Sequence, residues 1–221
     1  AAQLMQLGQT KEAQRLGALA VRINPTDDRL WSILAEAQMR NNLLKEAESS
    51  ISKAKEISPK KASLWFANAS LSLQQKKPDT AINLIKKGLK LDPRNAGGYF
   101  QLGNARIMQN KFDLAIQDFK KAYAINNKFW EAINNEAIVL FETGKTKDAI
   151  ARWRKVLEIK QNAEPMLALA SALHEINPKN KEIFELAKTA LKKNPNYVWS
   201  EYQKEQLWGK KLRIAAKRLL S

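Results

Sequence analysis

The chain contains no cysteine, one histidine, eight glycines and seven prolines among its 221 residues. The lack of thiols excludes disulfide staples, zinc ribbons and thiol nucleophiles, and leaves the redox compartment open. A single imidazole, His174, cannot build a histidine metal cluster. So few helix breakers argue against a β-rich or disordered chain. No apolar run approaches the ~18 residues that a membrane span needs, and no secretory leader is visible at the start. Acidic side chains are also scarce. Asp and Glu number 22 against 38 Lys and Arg, a formal charge of +16. That surplus predicts attraction to acidic partners, whether protein, nucleic acid or anionic lipid, without choosing among them.

What the chain does contain is a composition weighted to Ala, Leu, Lys, Gln and Glu, residues that lose little side-chain freedom in a helix. Read at a spacing of 34 residues, it aligns with itself without an insertion. One small-residue column reads Ala35, Ala69, Gly103, Ala137 and Ser171. A second reads Ala13, Ala47, Ala81, Ala115, Ala149 and Ile183. A third reads Ala20, Ala54, Gly88, Ala122, Val156 and Ala190. A fourth holds Pro25, Pro59, Pro93, Asn127, Gln161 and Pro195, and a column of larger residues holds Trp31, Trp65, Tyr99, Ile133 and Leu167. Apolar residues at i, i+3, i+4 and i+7 within each period mark two amphipathic helices joined by a short turn. That turn falls at Asn110-Lys111 in one copy and at Gly144-Lys145 in the next. Small residues belong where two helices cross closely, and the closing Pro cannot continue a helix.

Period and residue classes resemble those of the tetratricopeptide repeat (TPR): a W-x2-L-G-x2-Y opening, then A-x3-F, then P. The clearest copy is Ala96–Phe129, where Tyr99, Leu102, Gly103, Ala115, Phe119 and Ala122 fall on the pattern and Asn127 replaces the terminal Pro. The resemblance covers essentially the whole chain. It implies an all-α, right-handed α-solenoid over residues 1–197, with a partial repeat at 1–27 and full repeats at 28–61, 62–95, 96–129, 130–163 and 164–197. Repeat 164–197 is irregular, with Ile183 in an Ala column and Pro178 at its turn. Residues 198–221 read as one further long helix that caps the stack, because a terminal repeat needs a polar outer face. The first copy lacks its opening positions, so the compartment stays undefined: a soluble protein of the cytoplasm, or one peripheral to a membrane with a signal or anchor upstream of Ala1.

No catalytic constellation or cofactor motif stands out, and the chain is expected not to be an enzyme. His174 reads as a partly buried structural residue. Gly97-Gly98 opens a helix with no strand before it, unlike a phosphate-binding loop. Trp31, Trp65 and Trp153 are accounted for as core, whereas Trp208 is the aromatic expected to be exposed. In TPR proteins the first helix of each pair lines a concave groove. Carried over, the resemblance implies a partner-binding groove of Phe66, Ser70, Phe100, Gln101, Asn104, Ile107, Met108, Asn134, Asn135, Ile138, Phe141 and Glu142, with the three Phe partly exposed. Rings with amides between them suit an extended or helical peptide. The carboxylate clamp of chaperone-binding TPRs is absent: Asn104 and Asn135 match its amides, but Phe100, Pro165 and Leu169 stand where it needs cations.

A second surface is implied by a ladder of cations on the second helices, Lys86, Lys87, Lys120, Lys121, Arg154 and Lys155. Residues 62–129 carry 11 basic and 4 acidic side chains, against 11 and 9 over 130–197. The ladder reads as a basic convex patch for an acidic partner, or as an ordinary solvated face. The function expected is a scaffold or assembly factor holding a partner segment. Helical-repeat RNA binding is the alternative, although no repeated side-chain code emerges at matching positions. The Lys- and Asn-rich composition and the tail Gln206-Leu207-Trp208-Gly209 are similar to TPR proteins of cyanobacteria and plastids, several of which help assemble photosystems.

Overall fold

The computed structural model describes residues 1–221, which form fourteen α-helices and no strand. The chain divides into two compact units, residues 1–109 and 110–221. The first holds α1 (Ala2–Gln6), α2 (Thr10–Ile23), α3 (Asp28–Arg40), α4 (Leu44–Ile57), α5 (Ala62–Gln74), α6 (Pro78–Leu91) and α7 (Ala96–Met108). The second holds α8 (Phe112–Ile125), α9 (Trp130–Glu142), α10 (Thr146–Ile159), α11 (Ala163–Ile176), α12 (Lys181–Lys193), α13 (Ser200–Glu205) and α14 (Lys210–Leu220). Within each unit consecutive helices pack in pairs, and α3 with α5, α5 with α7 and α9 with α11 also touch along one side. It is an α-solenoid of helix pairs.

The repeat is written into the backbone as well as the side chains. Gly8, Asn42, Lys76, Asn110 and Gly144 all adopt positive φ, between 57° and 86°. This is the left-handed residue that turns a first helix into a second. The next member of that column is Pro178, whose ring holds φ near −65° and forbids the same turn. There α11 runs on to Ile176, Asn177 is extended, and the Asn180 carboxamide caps α12 by accepting from the Glu182 N–H. Second helices end alike: the backbone N–H of Asn24, Ser58, Asp92, Asn126, Lys160 and Asn194 donates to the carbonyl four residues back.

The small-residue columns form the helix crossings. Ala13, Ala47, Ala81, Ala115 and Ala149 are fully buried, and so is Ile183 in the irregular pair. In the first unit the core breaks into local clusters, one around Met5, Ala13 and Ala37, one around Ala35, Ile51 and Leu71, and one around Phe66, Ile85 and Leu102. Gly88 stands where neighbouring repeats have Ala because the Phe66 ring fills the gap. A Cβ on Gly88 would lie 2.7 Å from that ring, and one on Gly98 would lie 2.6 Å from it. In the second unit Phe119, Ile133, Trp153 and Leu167 are among the large buried residues.

The long helix expected over residues 198–221 does not form. The chain makes a 3-10 turn at Pro195–Val198, then α13, then reverses at Leu207 with φ 65° before α14 begins after Gly209. The break lets the tail fold back: α14 packs on α11 and α9, the first helices of their pairs.

Candidate functional site

In the first unit the first helices α3, α5 and α7 leave an open groove of about 620 Å³. Its wall is Ser32, Ala35, Glu36, Met39 and Arg40 from α3, Ser63, Phe66, Ala67, Ser70 and Gln74 from α5, and Gln101 from α7. Three of the expected groove residues, Phe66, Ser70 and Gln101, line it. Phe66 is only 7% exposed, held between Gly88 and Gly98, so it forms floor rather than a projecting ring. Gln101 Nε2 donates to Ser70 Oγ at 2.6 Å, and Gln74 Nε2 donates to the Met39 carbonyl at 3.0 Å. The Gln101 amide oxygen, by contrast, is buried without a partner. At the rim Arg40 pairs with Glu36 at 2.9 Å. Phe100, Asn104 and Met108 are half-buried on α7 and take no part in this wall.

In the second unit the equivalent face is filled by the chain itself. Asn134 is fully buried and accepts from Trp153 Nε1 at 3.1 Å, and its amide reaches the Asn135 oxygen at 3.4 Å. Phe141 is 1% exposed, packed 5.9 Å from the Trp153 ring, with the Lys211 ammonium 4.7 Å above it. The expected exposure of Phe66 and Phe141 is therefore corrected, as is the availability of Asn134 and Asn135. Glu142 receives the tail, its carboxylate accepting from the Lys211 and Leu212 N–H groups at 3.1 and 2.8 Å. An anion there satisfies the otherwise orphaned first turn of α14. Gly209 passes so close to that carboxylate that any Cβ would collide with it.

Trp208, expected to be exposed, is 2% exposed. Its Nε1 donates to Glu164 Oε1 at 3.0 Å, and its ring lies 5.7 Å from that of Tyr197. Burial pushes the Glu164 carboxyl up to about 7, against hydrogen bonds from Trp208, Asn134 and Tyr197 that pull it down. The Tyr197 hydroxyl is driven upward by the same burial and then by Glu164, so it stays protonated. The residues 197–216 thus act on α9 and α11 as a bound helix would. One signal could have revealed this: Trp208, Leu212, Ala215 and Ala216 recur at i, i+4, i+7 and i+8, a single helical stripe.

The cationic ladder is exposed throughout, on α6 in the first unit and on α8 and α10 in the second. Much of it is engaged. Lys87 and Lys55 lie 5.1 and 4.1 Å from the Trp65 ring. Arg154 makes a forked pair with Glu182, both bonds at 2.8 Å. Lys155 and Arg152 flank the Tyr123 ring at 5.6 and 5.8 Å. Lys120 sits 3.9 Å and Arg152 3.0 Å from Glu136, which is 1% exposed. Burial raises the Glu136 carboxyl, opposed by Arg152, then Lys120. Sequence periodicity did not single out Glu136 or Glu164. His174 is half-buried with Nδ1 unpartnered, and no three His, Asp or Glu side chains come together to hold a metal.

Residues 84–117 match the family model of the tetratricopeptide repeat. No curated protein matches the sequence. Among solved structures the chain is similar to TTC0263, a thermophilic TPR protein of Thermus thermophilus, with 22% identity, 78% of this chain and 94% of that one covered, and a TM-score of 0.72. It is similar to pilF of Pseudomonas aeruginosa at 19% identity over 93% of each chain, TM-score 0.72. It is also similar to YrrB, a TPR protein with an unusual peptide-binding site, at 18% identity over 87% of this chain and all of that one, TM-score 0.57. At such identities the likeness speaks for the fold. The unbroken 34-residue period, the helix pairs built on it, the family-model match over residues 84–117 and the likeness to solved TPR structures identify the fold as that of a tetratricopeptide-repeat solenoid.

Proposed function

We propose that the protein is a non-catalytic scaffold that holds a segment of a partner protein in the groove of α3, α5 and α7. The observation that carries this reading is the groove itself: open, floored by Phe66 and Ala35, and edged by amides and hydroxyls. The buried Gln101 oxygen lacks a donor, and a peptide N–H would supply one. The second unit adds support, since its corresponding face takes a helix through Leu212, Ala215 and Ala216. Likeness to YrrB, whose description names a peptide-binding site, points the same way.

An acidic partner on the ladder and RNA binding both draw on cations that already serve Glu182, Glu136, Trp65 and Tyr123. The groove is the better founded site. A place in photosystem assembly rests on composition and tail, and is decided by what the groove captures. A photo-crosslinking residue at Ser63 should capture a discrete partner from the source cell, and Ser70→Arg, which fills the groove, should abolish that capture. If Ser70→Arg changes nothing while Lys86→Glu with Lys87→Glu removes the partner, the convex face is the site.

A further inference from the structure

α14 has one apolar stripe packed inside its unit and a second stripe, mixed cationic and apolar, with no helix packed on it. Leu212, Ala215 and Ala216 are buried against α9 and α11. Lys210, Arg213, Ile214, Lys217 and Leu220, at i, i+3, i+4, i+7 and i+10, line a separate open groove of about 830 Å³. Leu191 of α12 and Val198 form apolar parts of the opposite wall. Ile214 and Val198 are 41% and 43% exposed. We propose that this groove docks an acidic amphipathic helix of a partner protein, a surface distinct from the groove of α3, α5 and α7.

Charge selects the occupant. Three cations line the groove and no acidic side chain does. Lys210 and Lys217 make no ion pair within the chain, whereas nearby Arg218 and Lys204 are paired with Glu175 and Glu201. Two polar atoms at the groove are also left over. Arg213 donates through Nη1 to Ser200 Oγ at 3.1 Å, yet its Nε is buried without a partner. Gln203, 2% exposed, donates through Nε2 to the Tyr197 carbonyl at 2.6 Å, yet its oxygen is buried without one. Native proteins rarely leave such atoms unmet. A carboxylate would answer Arg213 Nε, and a hydroxyl or amide N–H would answer the Gln203 oxygen.

Spacing selects the shape. The stripe runs about 15 Å along α14 at 1.5 Å per residue, and three cations, Lys210, Arg213 and Lys217, share it with Ile214 and Leu220 at helical intervals. A partner helix with an apolar stripe flanked by Glu or Asp complements both features at once. Anionic headgroups would satisfy the lysines but leave Ile214, Leu191 and Val198 without a matched surface.

The test uses the full chain and a fluorescein-labelled designed peptide of about 16 residues, with Leu at i, i+3, i+4 and i+7 flanked by Glu. Anisotropy should show saturable binding that weakens about tenfold with Ile214→Asp and with Lys210→Glu plus Lys217→Glu. A scrambled peptide of the same composition should not bind. Ser70→Arg and Lys86→Glu plus Lys87→Glu should leave binding unchanged, separating this site from the proposed groove. Circular dichroism of each variant should match the parent. No binding, equal binding of the scrambled peptide, or indifference to both groove variants overturns the proposal. A dimer of the parent chain that dissociates with Ile214→Asp would assign the groove to a second copy instead. Binding to phosphatidylglycerol vesicles that outcompetes the peptide would assign it to a membrane surface.

Discussion

Gly98→Ala should destabilise the protein, although alanine is the better helix former. Gly98 lies in the first turn of α7, where its N–H donates to the Asn95 cap at 2.8 Å. An added Cβ would meet Phe66 at 2.6 and 2.9 Å and Leu89 at 2.9 Å, all inside normal carbon contact. The ring cannot retreat, because Gly88 closes its other side and a Cβ there would stand 2.7 Å away. Overpacking of this kind costs about 1–3 kcal/mol, while replacing a helical Gly with Ala returns roughly 0.5–1 kcal/mol. The net expectation is a loss of about 1 kcal/mol, and at most about 2.5 kcal/mol. Urea unfolding followed by far-UV circular dichroism reads it as a lower midpoint at unchanged slope. Phe66→Leu is the internal control. In that background the ring clash disappears and only the Leu89 contact remains, so Gly98→Ala should cost clearly less, a coupling that a double-mutant cycle measures. If Gly98→Ala raises the midpoint, or costs the same with Leu at position 66, the clasped-ring account is wrong.

Glu164 should make the protein more stable in mild acid. Its folded carboxyl titrates near 7 against a usual 4.5, so its contribution is full below about 4.5 and is lost as pH rises through 7. The unfolding midpoint should fall between pH 5 and pH 8, by up to about 3 kcal/mol in free energy, and Glu164→Gln should flatten that slope. Arg152→Met leaves the buried Glu136 with the more distant Lys120 and the Tyr123 hydroxyl, and should cost about 3 kcal/mol at pH 7 by urea midpoint and less at pH 5, where its raised carboxyl protonates more readily. An equal cost at both pH values would refute the pairing. Lys76→Gly relieves a left-handed residue at φ 59° and should raise stability by about 1 kcal/mol, read as a higher melting temperature.

The helix pairs were legible because each is decided locally. A small residue at every crossing, a turn residue and a closing Pro recur at one period, and the turns at Asn110 and Gly144 lie where the pattern puts them. What escaped depends on residues brought together from afar. Phe66 reads as a groove residue from its own repeat, and its burial follows from glycines on two other helices. Asn134, Asn135 and Phe141 occupy groove positions of the family pattern, but that pattern supposes an empty groove. Here residues 208–216 fill it. The tail was misread because leucine is a poor choice for the left-handed conformation that Leu207 adopts, so no breaker announced the reversal. Trp208 belongs to no repeat column, and absence from a column looked like exposure. Ser70 and Gln101 do lie together on the wall of the first-unit groove, and their hydrogen bond across a repeat is a consequence of matching positions on adjacent first helices.

The docking of α14 on Glu142 has a consequence for synthesis. Side-chain bonds between neighbouring repeats of the first unit join residues 27 to 35 apart, as in Asn41 to Gln14, Gln101 to Ser70 and Gln74 to Met39. Glu142 waits for backbone groups 69 and 70 residues later. At roughly 5–20 residues per second, the ribosome takes about 4–14 s to cover that interval. Throughout it the side of the nascent α9 that faces α14 stays uncovered, along with the Glu142 carboxylate that receives that helix. A slow translation stretch between these codons would lengthen the window in which chaperones, or a partner's helix, can reach that face first.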